Sequence, residues 1–235
     1  MGQERISKRL TIVGTTHVDK SSVERVRRTI SETHPAVVAV ELDEERLSVL
    51  KDPDRDKLDS PFHSGLLPWM LALLERSVGS LTHVFPGSEM LEAAEEAQRV
   101  GAQVIMIDKP IETILEDLGR VPLIEKVKIG ADILGALFAI GTGRRSARLA
   151  DASLDKLMAE FDAKYPTFSQ ILVKNRDRYM ADRIREILQS TSGQVVVVVG
   201  LGHVKGIMRN LAVDEPVSSG ELVQIRYEWT LGTSA

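Results

Sequence analysis

Cysteine is absent from this chain. That excludes disulfide staples, thiolate metal sites and a cysteine nucleophile, and it confines any metal to His and carboxylate ligands. Histidine is scarce, with five residues in 235. Positive charge does not dominate: the formal net charge is -4, so no global positive field exists to hold nucleic acid, and nucleic acid is not expected as a partner. No run approaches the roughly 18 uninterrupted apolar residues of a membrane-spanning helix. The charged start MGQERISKRL lacks the apolar stretch of a secretory signal, which makes the cytoplasm the expected location. Gly-x-Ser-x-Gly, the nucleophile elbow of serine hydrolases, is missing. GTGRRS at Gly141 lacks the Gly-Lys-Ser/Thr that closes a phosphate loop.

What remains is a chain of single-domain size whose 43% hydrophobic content suffices for a sizeable core. Four apolar runs read as strands buried on both faces: LTIVG from Leu10, AVVAVEL from Ala36, AQVIMID from Ala102 and QVVVVVG from Gln194. Helical patterns lie between them at Ser21–Glu32 and at Ser88–Val100, the second capped by Ser88 and closed by Gly101. Strand alternating with helix predicts an α/β fold, a mainly parallel central sheet with flanking helices. From Ile111 to Gln189 the pattern is helical throughout, which reads as a helical insertion, residues 111–190, within one domain spanning 1–235. ELVQIRYEW from Glu221 alternates like a half-exposed edge strand, and Asp52–Ser64 reads as a loop. Ile129–Gly143 is apolar, rich in glycine and flanked by Lys126, Lys128, Arg144, Arg145 and Arg148. It favours a buried or partner-facing helix over contact with an anionic membrane surface.

Open parallel sheets bind ligands outside the carboxyl ends of their strands. There the first strand delivers His17, the second Glu41, the third Asp108 and the last His203. The two histidines share a setting: IVGTTHVDKS and VVGLGHVKGI each close a Gly-x-x-His after an apolar run, with Gly14, Gly200 and Gly202 expected to permit a sharp turn. Two neutral imidazoles and a carboxylate form the ligand set of catalytic zinc or manganese sites, with Glu41 as third ligand or as base. Blander readings stand beside these. The histidines cap the following helices, Glu41 favours the start of a helix at DEERLSVL, and Asp108 is an N-cap before KPIETIL. In ILVKNRDRYMADRIREIL the residues Leu172, Met180, Ile184 and Ile187 form a helical stripe on which Arg176 also lies. An inward guanidinium needs a carboxylate or a bound oxyanion, unless its head reaches back to water. GLGHVKG falls short of a dinucleotide fingerprint because its last glycine comes one position late and no acid ends a suitably placed strand.

GTTH and GLGH, with VAVELDEERL, GSEMLEAAEEAQRVGAQVIMIDKPI and NRDRYMADRI, resemble the TraB domain family. This TraB/PrgY/GumN group is related to the Tiki proteins and, more distantly, to EreA- and ChaN-like folds. The resemblance runs from Thr11 to about Leu211. It implies an α/β core and a metallopeptidase site in which His17 and His203 are the motif histidines and Glu41 the strand-end glutamate. Glu89 is then the glutamate opening the middle helix, Arg176 the arginine of the late helix, and Asp108 the acid that members usually follow with arginine. Here Lys109 follows it, and Asn175 stands where members often carry glutamate. The expected chemistry is hydrolysis of a peptide or protein substrate dependent on a divalent metal (Mn, Zn or Co). His17, His203, Glu41 and Asp108 are the candidate ligands, and Glu41, Glu89 and Arg176 the catalytic groups. The alternative is a peptide- or haem-binding regulatory module of the same fold, without turnover. Members of this kind commonly carry membrane segments after the domain, so the resemblance is compatible with the cytoplasmic face of a membrane, reached through segments outside this chain, and with a homo-oligomer.

Overall fold

The computed structural model describes residues 9–15, 20–51, 88–141 and 154–213. His17, the loop expected at Asp52–Ser64 and the strand expected from Glu221 lie outside the described residues. All four apolar runs form strands: β1 (Leu10–Thr15), β2 (Val37–Val40), β3 (Gln103–Met106) and β4 (Val195–Gly200). Every pairing is parallel and the order is β1-β4-β2-β3. The register aligns Thr15 with Gly200 and sets Val40 between Val198 and Met106, so the carboxyl ends form one rim.

The chain crosses between strands on helices α1 (Lys20–Thr33), α2 (Glu44–Lys51) and α3 (Ser88–Arg99), and later α8 (Asn175–Ser190) and α9 (Leu201–Val213) complete the layers. Because side chains alternate across a strand, the valines of β4 divide between two cores. Val196 and Val198 pack with Val26 and Ile30 of α1 and with Met90, Ala93 and Ala97 of α3. Val195, Val197 and Val199 pack with Met180, Ala181 and Ile184 of α8 and with Val204, Ile207 and Leu211 of α9. Each fully buried valine contributes about 1.5–3 kcal/mol over its exposed state, which explains a central strand of uninterrupted valine.

The helical stretch from Ile111 divides at prolines, which cannot donate a hydrogen bond to the preceding turn and so open new helices. It forms α4 (Ile111–Gly119), α5 (Leu123–Gly141) behind Pro122, α6 (Leu154–Lys164) and α7 (Pro166–Ser169). A π-helical turn, Gln170–Lys174, joins α7 to α8. Ile111, Ile114 and Leu118 meet Ile129, Tyr165, Phe168 and Ile171 in a separate helical core, whereas α8 belongs to the sheet. At the start of α5, Leu123, Ile124 and Val127 are exposed and Ile129 is buried. Among the described residues no helix is long and apolar enough to cross a membrane.

Two expectations about glycine and capping meet different outcomes. Gly101 closes α3 in the left-handed region at φ 76, with Ala102 donating to the Ala97 carbonyl and Gly101 donating to that of Gln98, the paired bonds of a Schellman motif. An alanine there is strained, so Gly101→Ala is expected to lower stability by about 1 kcal/mol, seen as a lower urea midpoint with unchanged slope. Gly14, Gly200 and Gly202, by contrast, are not among the described residues with positive φ, which are Gly101 and His34. What Gly14 supplies is room: a Cβ there would come within 2.9 Å of Leu201 and Val204, so its absence lets α9 lie close against β1.

Candidate functional site

Glu41 leaves β2 at the rim and stays in register, its amide bonding the Val198 carbonyl at 3.0 Å. Its carboxylate therefore points at the turn where β4 becomes α9. Oε2 accepts the Gly200 amide at 2.6 Å and Oε1 accepts Arg176 Nη2 at 2.5 Å. His203 lies in the first turn of α9, which brings Nε2 to 3.3 Å from Glu41 Oε1. The other ring nitrogen, Nδ1, sits 2.6 Å from Asp177 Oδ1. A neutral imidazole donates from one nitrogen only. With Nδ1 donating to Asp177, Nε2 presents a lone pair to a carboxylate oxygen, and two acceptors face each other with nothing of the protein between them. Such a pair calls for a cation, either a proton or a metal ion.

Arg176 ties this pair to the rest of the rim. It lies on α8 directly after the π-helical turn, a helix irregularity frequent at functional sites. Its Nε donates to Asp108 Oδ1 at 3.0 Å, Nη2 donates to Asp108 Oδ2 and to Glu41 at 2.5 Å, and Nη1 donates to the Leu172 carbonyl at 3.1 Å. Asp108 also binds Arg46 Nη2 at 2.5 Å and accepts the Lys109 amide at 2.7 Å. Arg46 completes the chain by donating from Nε to Asp43 at 2.8 Å. Acidic and basic side chains alternate along the rim from Asp43 through Arg46, Asp108 and Arg176 to Glu41, with His203 between Glu41 and Asp177.

Burial and these partners pull the acids in opposite directions. Burial alone would push the Glu41 carboxyl up, but His203 and Arg176, helped by the Gly200 amide, hold it below its ordinary value. Asp108 is likewise pushed up by burial and pulled down further by Arg176 and Arg46, to well below the usual carboxylate range. Asp177 goes the other way: burial raises it, and its bond to His203 offsets only part of the rise. One imidazole thus stands between a carboxylate held below its ordinary value and one that burial raises above its own.

The remaining expected residues fall around the same rim. Glu89, in the first turn of α3 and 1% exposed, comes from the opposite face of the sheet, where Thr15 Oγ1 donates to it at 3.5 Å. Asp108 is not the cap of α4, since Pro110 holds that position with no side-chain bond. Nor is Glu41 the cap of α2. Asp43 takes that role, accepting the Arg46 amide at 2.8 Å. Three members of the network, Asp43, Arg46 and Asp177, were given no role by the sequence reading. Asp177 was legible, because the buried stripe of α8 runs Asp177, Met180, Ala181, Ile184, Ile187 at helical spacing, with Arg176 at its edge. Arg46 carries no comparable signal, since its partner Asp108 is remote in sequence. Among the described residues no group of three or more His, Cys, Asp or Glu side chains is arranged to hold a metal ion, and His17 lies outside those residues.

Comparison with known proteins places the chain. It is 32% identical over 232 residues to an uncharacterized protein of Methanocaldococcus jannaschii, covering 91% of this chain and 56% of that protein. Against the TraB domain-containing proteins of Bos taurus and Homo sapiens the identities are 29% and 27% over 238 residues, covering 88% of this chain and 63% of each relative. The chain thus spans between 56% and 63% of the length of these relatives. Among solved structures, ChaN of Campylobacter jejuni, described by its cofacial heme binding, aligns over 94% of this chain and 81% of its own at 10% identity. The TM-score of that pairing is 0.36. The profile of the TraB/PrgY/gumN family matches residues 4–215, and the chain belongs to that family.

Proposed function

We propose that the chain is a metal-dependent hydrolase acting on peptide or amide bonds, with His203, Glu41 and His17 holding a divalent ion (Mn, Zn or Co). The observation that carries this reading is the His203 Nε2 to Glu41 Oε1 approach of 3.3 Å, with the back of each group fixed by a second partner. Ligand histidines have this design, donating the far nitrogen to a carboxylate so that the near one keeps its lone pair toward the metal. A bound ion of this kind polarises a carbonyl and lowers the pKa of its water toward about 7.

The residues of the chain then have distinct tasks. Asp177 fixes the tautomer and the angle of His203. The Gly200 amide and Arg176 fix both oxygens of Glu41. Asp108, whose oxygens are both engaged by guanidiniums, anchors Arg176 in this reading. Arg176 commits four of the five guanidinium N–H groups to Leu172, Asp108 and Glu41, leaving one Nη1–H to steady an oxyanion. Glu89, the other buried glutamate at the rim, would serve as the base for a water activated by the bound ion.

Metal content is the test, measured on protein purified without chelators, for the wild type and for His203→Ala, Glu41→Gln and His17→Ala. The expected result is about one equivalent of metal in the wild type and loss in each variant, followed by cleavage in a peptide library. Retention of metal in all three variants sinks the ligand assignment. Metal without cleavage of any peptide turns the reading to a binding module that uses the same residues.

A further inference from the structure

β3 ends the sheet order, and among the described residues no strand lies on its far side. Gln103 and Ile107 donate their amides inward, to the carbonyls of Ala36 and Val40 at 2.9 and 3.0 Å. Strand geometry alternates, so Val104 and Met106 turn their N–H and C=O groups outward. Gln103 is exposed and the following three residues are half-buried. A cleft of about 940 Å³ runs along this edge, walled by Glu44, Glu45 and Glu112 with Tyr179 and Arg183 at its margin. Arg183 is paired with Glu186, and Glu44 and Glu112 are exposed acids of the wall. Glu112 and Glu45 stand within hydrogen-bonding reach of each other at the cleft wall.

Natural sheets block exposed edges with lysine, proline or a bulge. Gln103–Met106 contains neither residue. The carboxylates block selectively instead. A second copy of the same edge, in a chain of net charge -4, meets like charge, while an extended strand bearing cations does not. We propose that the outer edge of β3 takes up an extended basic peptide as an added strand, its backbone paired with Val104 and Met106 and its Lys or Arg side chains met by Glu44, Glu45 and Glu112. This surface goes beyond the hydrolase reading and is measured without turnover, so the failure of either leaves the other standing.

Fluorescence anisotropy of the full chain tests it with three labelled hexapeptides: alternating Lys and Val, alternating Glu and Val, and the Lys/Val peptide N-methylated at alternate amides. The Lys/Val peptide is expected to bind, and the other two to bind at least about tenfold more weakly. Val104→Pro removes an outward N–H but no bond to β2, a place where an edge strand tolerates proline, and is expected to weaken binding about tenfold. Should that variant fold poorly, the exposed pair Glu44→Gln with Glu112→Gln supplies the charge test and is expected to favour the Lys/Val peptide less. Equal binding of the basic and acidic peptides, undiminished binding of the N-methylated peptide, or no binding of the Lys/Val peptide overturns the proposal.

Discussion

Replacing Arg176 with methionine lowers the unfolding free energy at pH 7 by about 3–5 kcal/mol, the cost of leaving partners of a buried ion pair uncompensated. Two carboxylates depend on this one guanidinium. Asp108 has a fully buried side chain and the Glu41 side chain is 9% exposed, against 13% for Arg176 itself. The loss is a large fraction of a typical domain's stability, so Arg176→Lys is the milder companion. It keeps the charge but loses the bidentate fork to Asp108 and is expected to fall between wild type and methionine. The pH dependence separates electrostatics from packing. Asp108 and Glu41 are held below their ordinary values, so the stability they contribute is complete above those values and fades as pH falls through the folded ones. Without Arg176 each acid loses a partner that lowers it, so both rise from where the wild type holds them. The methionine variant then takes up protons at a pH where the wild type does not, and its deficit narrows between pH 7 and about pH 4.5. Urea titrations at the two pH values read this directly. A deficit below about 1 kcal/mol and flat with pH shows that the methionine's packing replaces the ion pair without cost, and the assigned role of Arg176 is then wrong.

The sheet was legible in the sequence because its signal is local. Each of the four runs is long enough and apolar enough to be buried on both faces, and the placement of Pro35 and Gly101 before β2 and β3 marks where helices stop. The strand-end rule then put Glu41, Asp108 and His203 on one rim without any knowledge of strand order. What could not be read is the pairing among them. Arg176 meets Asp108 and Glu41 only because α8 crosses above β2 and β3, and that depends on how the helical stretch after Ile111 breaks at Pro122 and Pro166. The order β1-β4-β2-β3 is also a global property, since it requires β4 to insert between strands already made. A helical stripe reports which residues turn inward, but not what they meet. Arg176 and Asp177 are both inward, yet one faces acids and the other a histidine.

That difference makes Gly206 the position of the second large effect. A Cβ on Gly206 would lie 1.7 Å from Asp177 Oδ2 and 2.4 Å from its Cγ, so alanine cannot be added without moving the carboxylate. Asp177 Cβ would itself lie 3.0 Å from the new methyl, so turning the carboxylate away does not by itself clear the contact. Gly206→Ala is therefore expected to cost about 1–3 kcal/mol, the range for overpacking, and to break the bond that holds His203 Nδ1. A double-mutant cycle tests the cause. In an Asp177→Ala background the oxygen and Cγ that obstruct the new methyl are gone, so Gly206→Ala should cost about 1 kcal/mol less there than in the wild type. The two single variants should share one phenotype at the site. The His203 ring loses its fixed tautomer, seen in its imidazole nitrogen shifts, although Gly206 touches the histidine only through Asp177. Additive costs, or an unchanged ring signature in Gly206→Ala, would show that the carboxylate moves aside freely. Such freedom in Asp177 would remove the reason for regarding His203 as a preset ligand, since a ring that is not held from behind has no fixed lone pair to offer Glu41 or an ion.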